Sequence, residues 1–150
     1  MRVSGPACFT IVGIHTAAFP GSGGYEGEID QAIDWIQDLS DVGPILLAGD
    51  FNSPISTSQR RYDKVAQRLT DMGLCDVYQT ARGLERGEEP TEPTYYQSRL
   101  GEVRGFHIDH IWLPVEWADG AAVHVGDHDT WIASGLSDHA PVVADVHIGY

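Results

Sequence analysis

The chain has 150 residues, 42% of them hydrophobic, and its 22 acidic against 9 basic side chains give a formal net charge of -13. That size and hydrophobic content suit one domain with a real core, expected over residues 1–150. So acidic a surface repels polyanions at long range, which disfavours sequence-independent binding along a duplex but does not forbid a phosphate substrate, because a bound divalent cation reverses the field inside one cleft.

No apolar run approaches the eighteen or so residues of a membrane span, and the first residues lack the basic-then-apolar order of a secretory signal, so a cytoplasmic location is expected. Cys8 and Cys75 have no partners at metal-ligand spacing. Cys8 falls in an apolar strand pattern, where a thiol behaves as a small hydrophobe.

In chain order, "ACFTIVGIH" (7–15) reads as a strand that ends at His15, before the turn-forming "FPGSGG". From Tyr25 the apolar residues Ile29, Ala32, Ile33, Ile36 and Leu39 recur at helical spacing, closed by "DVGP". Glu26 and Glu28 lie on this helix pattern and are read as a solvated face. "PILLAG" (44–49) has no polar alternation, as in a strand covered on both faces, and it delivers Asp50. A second amphipathic helix follows through Tyr62, Val65, Ala66, Leu69 and Met72, with Ser56, Thr57 or Ser58 as its N-cap and Gly73 as its stop. Residues 80–93, polar and rich in Gly and Pro, read as a surface excursion. "FHIDHIWLP" (106–114) is a strand with His107, Asp109, Ile111 and Leu113 on one face, and "AAVHV" and "APVVADVHI" are the last two strands.

Several apolar strands therefore end on, or carry, residues a core rejects: His15, Asp50, Asn52, Asp109, Asp138 and His139. Buried charge persists when paired or metal-bound, and strand ends form the mouths of sites in sheet-based domains. The set suits phosphoester hydrolysis. His139 accepts a proton from water near neutral pH, and Asp109 on its other ring nitrogen fixes the tautomer. Asp138, Asp50 and Asn52 offer the hard oxygens that Mg²⁺ accepts, and His15 stabilises charge on the phosphoryl group or assists the leaving oxygen. Ser137, Asp138 and His139 are sequence neighbours pointing to opposite sides, which argues against a serine triad. The other five histidines, at 107, 110, 124, 128 and 147, have no spacing specific to a metal site. Asp50 with Asn52 can also be read as a turn bonding its own backbone.

"GDFNS", "HIDHIWLP" and "SDHAPVV", in this order and over nearly the whole chain, resemble the endonuclease/exonuclease/phosphatase superfamily of DNase I-like phosphoesterases, which includes magnesium-dependent nucleases, inositol phosphatases and sphingomyelinases. The resemblance implies an α/β fold, the C-terminal sheet-and-helix half of a four-layer α/β/β/α sandwich. It implies a phosphoesterase using Mg²⁺ (or Mn²⁺) in which Asp50 and Asn52 position water and phosphate, His139 is the catalytic histidine, Asp109 orients it, Asp138 sits near the metal and His15 contacts the phosphate. It also implies an N-terminal half bearing an asparagine and a metal-binding glutamate, for which this sequence has no counterpart. One sheet face is then expected to be bare, to be covered by a second copy of the chain or by a partner carrying that half. A non-catalytic remnant, or a fragment of a longer enzyme that keeps the fold but lacks the metal-binding glutamate, is the alternative. The acidic surface favours a small or lipid-like phosphoester over duplex DNA.

Overall fold

The computed structural model describes residues 1–5, 7–39, 43–53 and 55–148, and of residues 55–61 the backbone alone. In chain order the elements are β1 (Arg2–Val3), β2 (Phe9–His15), α1 (Tyr25–Gln37), β3 (Ile45–Asp50), α2 (Ile55–Asp71), β4 (Leu74–Asp76), α3 (Val77–Arg82), β5 (Tyr95–Arg99), β6 (Glu102–Phe106), β7 (Asp109–Pro114), α4 (Val115–Ala118), β8 (Ala122–Val125), a π-helical turn (Asp129–Ala133) and β9 (Val142–Asp145). α2 starts ahead of Ser56, Thr57 and Ser58, so these expected caps fall within its first turn, and their side chains lie outside the described residues. Asp41 and Val42 of the "DVGP" stop also lie outside them.

Five strands form the main sheet in the order β1-β2-β3-β7-β4, with β2 parallel to β3 and β7 antiparallel to it. Because side chains alternate, each strand divides its residues between two faces. Val12, Ile14, Leu47 and Trp112 face α1 and α2 and pack with Ile29, Ile33, Ile36, Tyr62, Val65 and Leu69. Arg68 of α2 clasps α1 through Asp30, at 3.0 Å, and Asp34. The opposite face carries Phe9, Leu46, Ile111 and Leu113, which pack with Val123, Val142, Ala144 and Trp117. The covering layer here is a second sheet, the antiparallel pair β8-β9. A single sheet with one bare face was expected. Instead β8-β9 covers the β7 side of that face, while β2, although paired on both edges, contains no buried residue.

Three further differences have local causes. The expected surface excursion at 80–93 begins inside helix α3, because Asp76 caps it by accepting from the Tyr78 and Gln79 N–H groups and Gly83 ends it in the left-handed conformation. The expected strand at 106–114 is interrupted: β6 ends at Phe106, its hairpin with β5 complete, and β7 starts at Asp109. Cys8, expected in a strand, precedes β2 and is exposed.

At Gly49 of β3, φ is 143° and an added Cβ would lie 1.9 Å from the Ile14 carbonyl oxygen of β2. Gly49→Ala is expected to lower stability by roughly 3 kcal/mol through strain and collision with rigid backbone. Urea unfolding of the two proteins side by side checks this.

Candidate active site

Strand register builds the site. His15 pairs with Asp50 across β2 and β3, and Asp50 pairs with Asp109 across β3 and β7, so the three residues form one row at the end of the sheet. They share the face that carries β8-β9, away from α1 and α2. His139 enters this row from the loop before β9. That loop is tied to β5 by a bridge between Tyr95 and His139, by the Tyr96 N–H on the Asp138 carbonyl at 2.9 Å, and by the Ala140 N–H on the Thr94 carbonyl at 2.7 Å.

The His139 Nδ1 lies 2.9 Å from Asp109 Oδ2, so it donates to that carboxylate and leaves Nε2 to take a proton. Nε2 is 4.0 Å from Asp50 Oδ2, and the His15 Nε2 is 3.8 Å from the same oxygen. The Tyr95 ring packs on the His139 imidazole, centroids 4.8 Å apart. Side-chain exposure is 32% for His139, 21% for Asp109 and 16% for Asp50, so the centre is reachable from solvent but partly withdrawn from it, whereas His15 is 76% exposed. Partial burial raises the Asp50 carboxyl above the usual aspartate range. The Asn52 N–H opposes that shift, the Asp109 charge adds to it, and the two histidines oppose it.

Asn52 adopts φ 49° and does what the turn reading anticipates: its backbone N–H donates to Asp50 Oδ1 at 2.8 Å and its Nδ2 to Asp50 Oδ2 at 2.9 Å. Nδ2 also reaches the Thr16 carbonyl at 2.9 Å, which ties the turn to β2. The turn and the site are therefore the same structure. Asp50, Asp109 and His139 present ligand atoms that all lie within 4.8 Å of one another. Two carboxylates and an imidazole at that spacing are a donor set that fits a divalent cation, which would relieve the repulsion between neighbouring acids. Asp138 is not brought into the group. It is exposed, and its contact with the surroundings is through its backbone carbonyl.

Several residues that hold the site carry no spacing signal. Thr94 is fully buried, and its Oγ1 accepts from the Ile108 and Asp109 N–H groups at 3.1 and 3.0 Å, fixing the start of β7. Thr16 donates to the Phe51 carbonyl at 2.7 Å. Glu28 accepts from the Ala17 and Phe19 N–H groups, and Glu26 is buried against Ser53 Oγ at 2.8 Å. The solvated face expected for this acidic pair is replaced by two anchors for the loops that leave β2 and β3. Behind the row, His110 faces the helices and donates to buried Asp76 at 2.8 Å, with the Tyr62 hydroxyl 3.2 Å from the same nitrogen.

No family model matches the chain, and no curated protein matches its sequence. Solved structures do match its fold. A 3′ phosphatase, NExo, from Neisseria, determined with a product DNA hairpin, superposes with a TM-score of 0.62 at 20% identity, over 92% of this chain and 61% of that one. This is the endonuclease/exonuclease/phosphatase fold. The endonuclease domain of the telomere-specific non-LTR retrotransposon TRAS1 (TM-score 0.56, 17% identity, 81% of this chain and 53% of that one) shares it. So does an endonuclease/exonuclease/phosphatase family protein from Leptotrichia buccalis (TM-score 0.59, 16% identity, 92% and 49%). The chain thus spans about half to three fifths of the length of the structures it matches.

His107 is buried beside this network, with Nδ1 donating to the Glu92 carbonyl at 2.7 Å. Burial, followed by the neighbouring His110 charge, lowers its pKa from 6.5 to about 4. A histidine held neutral in this way contributes stability above its unfolded pKa and loses it as pH falls from about 6.5 toward 4. On the order of 3 kcal/mol is expected to disappear over that window, and His107→Gln is expected to flatten the loss. Urea unfolding from pH 7 to pH 4 measures both.

Proposed function

We propose that the protein is a phosphoester hydrolase using Mg²⁺ (or Mn²⁺), with His139 as general base. The observation that carries this reading is the Asp109–His139 pair facing Asp50 across a row set by strand register. His139 Nε2 takes the proton of the attacking water, and Asp109 holds the imidazole in the required tautomer and stabilises the imidazolium as it forms. His15, exposed at the end of the row, donates to an oxygen of the phosphoryl group.

Asp50 and Asn52 would hold the cation through carboxylate and amide oxygens at the edge of the Asp50–Asp109–His139 cluster, so that the Asp109–His139 pair stays with the proton. The Asn52 Oδ1 accepts no hydrogen bond among the described residues, and its amide nitrogen fixes the Asp50 carboxylate. Asp138 would join them through a side-chain rotation. When bound, such a cation neutralises charge on the phosphoryl group and generates a better nucleophile from water. The net charge of -13 supports a small or lipid-like phosphoester over duplex DNA.

Hydrolysis of bis(4-nitrophenyl) phosphate and 4-nitrophenyl phosphate tests the reading. Turnover is expected with Mg²⁺ or Mn²⁺ and is expected to stop on chelation. His139→Gln and Asp109→Asn are each expected to cost about 10²- to 10⁴-fold in kcat. Asp138→Ala tests its part: loss of activity supports the ligand assignment, and full activity leaves the cation to Asp50 and Asn52. Folded protein with no turnover under any of these conditions overturns the reading and favours the non-catalytic alternative.

A further inference from the structure

Among the described residues, hydrogen bonding fixes the His139 imidazole at one edge. Its Nδ1 donates to Asp109 Oδ2 at 2.9 Å, whereas Nε2 stands 4.0 Å from Asp50 Oδ2, beyond hydrogen-bond distance. The χ2 torsion of histidine has broad wells, so one such bond leaves the ring free to tilt and Nε2 free to swing along the row. What opposes that tilt is the Tyr95 ring, whose centroid lies 4.8 Å from that of the imidazole with the two planes at 40°. Rings at that distance and angle are in direct contact.

Tyr95 is itself backed by the hairpin. Phe106 lies directly opposite it across β5 and β6, and the two rings stack with centroids 6.4 Å apart and planes at 26°. The Arg104 guanidinium, two residues earlier on the same face of β6, lies 5.3 Å from the Phe106 centroid. Gly105 between them lets β6 lie against Pro93, since an added Cβ would come 2.6 Å from Pro93 Cγ. The backbone of β5 is joined to the His139 loop separately, by the Tyr96 N–H on the Asp138 carbonyl and the Ala140 N–H on the Thr94 carbonyl. Those bonds do not depend on the side chain at position 95, so the ring and the strand can be tested apart.

We propose that Tyr95 is a positioning residue for the general base: its ring holds the His139 imidazole at the tilt that keeps Nδ1 on Asp109 and turns Nε2 to the row. The proposal deepens the phosphoesterase reading and rests on it. Tyr95 takes no proton and acts only through His139. Because the ring makes the contact, phenylalanine serves as well as tyrosine, whereas an aliphatic side chain leaves the imidazole free to tilt.

Tyr95→Phe and Tyr95→Leu are compared with the wild type on the two nitrophenyl substrates with Mg²⁺. Tyr95→Leu is expected to lose about 10- to 100-fold in kcat with KM unchanged, and Tyr95→Phe to keep wild-type values. The free proteins, labelled with ¹⁵N-histidine, give a second reading at about pH 9, where the imidazole is neutral. Long-range ¹H–¹⁵N correlation, with the signals of His139 assigned by their loss in His139→Gln, is expected to show one tautomer, protonated on Nδ1, in the wild type and Tyr95→Phe. A mixture of both tautomers is expected in Tyr95→Leu. Phe106→Leu, which leaves Tyr95 in place and removes its backing, is expected to move both readings the same way by a smaller amount, and serves where Tyr95→Leu fails to fold. A single tautomer in Tyr95→Leu overturns the proposal. So does a raised KM at unchanged kcat, since Tyr95 then contacts the substrate instead of the base. Where no form turns over and the tautomer contrast holds, the phosphoesterase reading fails and the hold of Tyr95 on the imidazole stands.

Discussion

Everything at the candidate site depends on the register of β3 with its two neighbours. The parallel pairing with β2 sets His15 beside Asp50, and the antiparallel pairing with β7 sets Asp109 on the other side. A slip of one residue in either ladder would turn its site residue toward the helices and bring an apolar neighbour to the row. The core on the helix face enforces that register, because Leu47 and Trp112 pair across the same ladder and are nearly fully buried. Burial of those side chains, a non-directional force, thus determines which polar groups meet in the row.

The polar contacts then refine what register makes approximate. Thr94, Asn52 and Thr16 each satisfy backbone groups that strand ends leave open, and together they fix Asp109, Asp50 and the turn beyond β2. They remove alternative conformations of Asp50, Asp109 and the turn between them and β2, so the row is held in one arrangement.

Much of this was legible in the sequence, for a physical reason. Apolar runs that stop at a charged or amide residue conflict with burial, and that conflict marks His15, Asp50, Asp109 and His139 without any structure. Helical periodicity likewise gave α1 and the ordered part of α2. What stayed hidden depends on tertiary partners. Glu26 and Glu28 have the spacing of a solvated helix face, yet the loops leaving β2 and β3 come back over that face and use them as acceptors. Asp138 neighbours a site residue in sequence, but at the bend before His139 its side chain is left exposed. The partnership of Asp76 with His110 arises from a contact between β4 and β7 that no local pattern announces.

Asp109 and His110 are joined by one peptide bond but face opposite sides of the sheet, the first toward His139 and the second toward Asp76 and Tyr62. The site therefore has no border with the core. Because both side chains hang on one strand, a substitution that shifts β7 against the helices moves Asp109 as well.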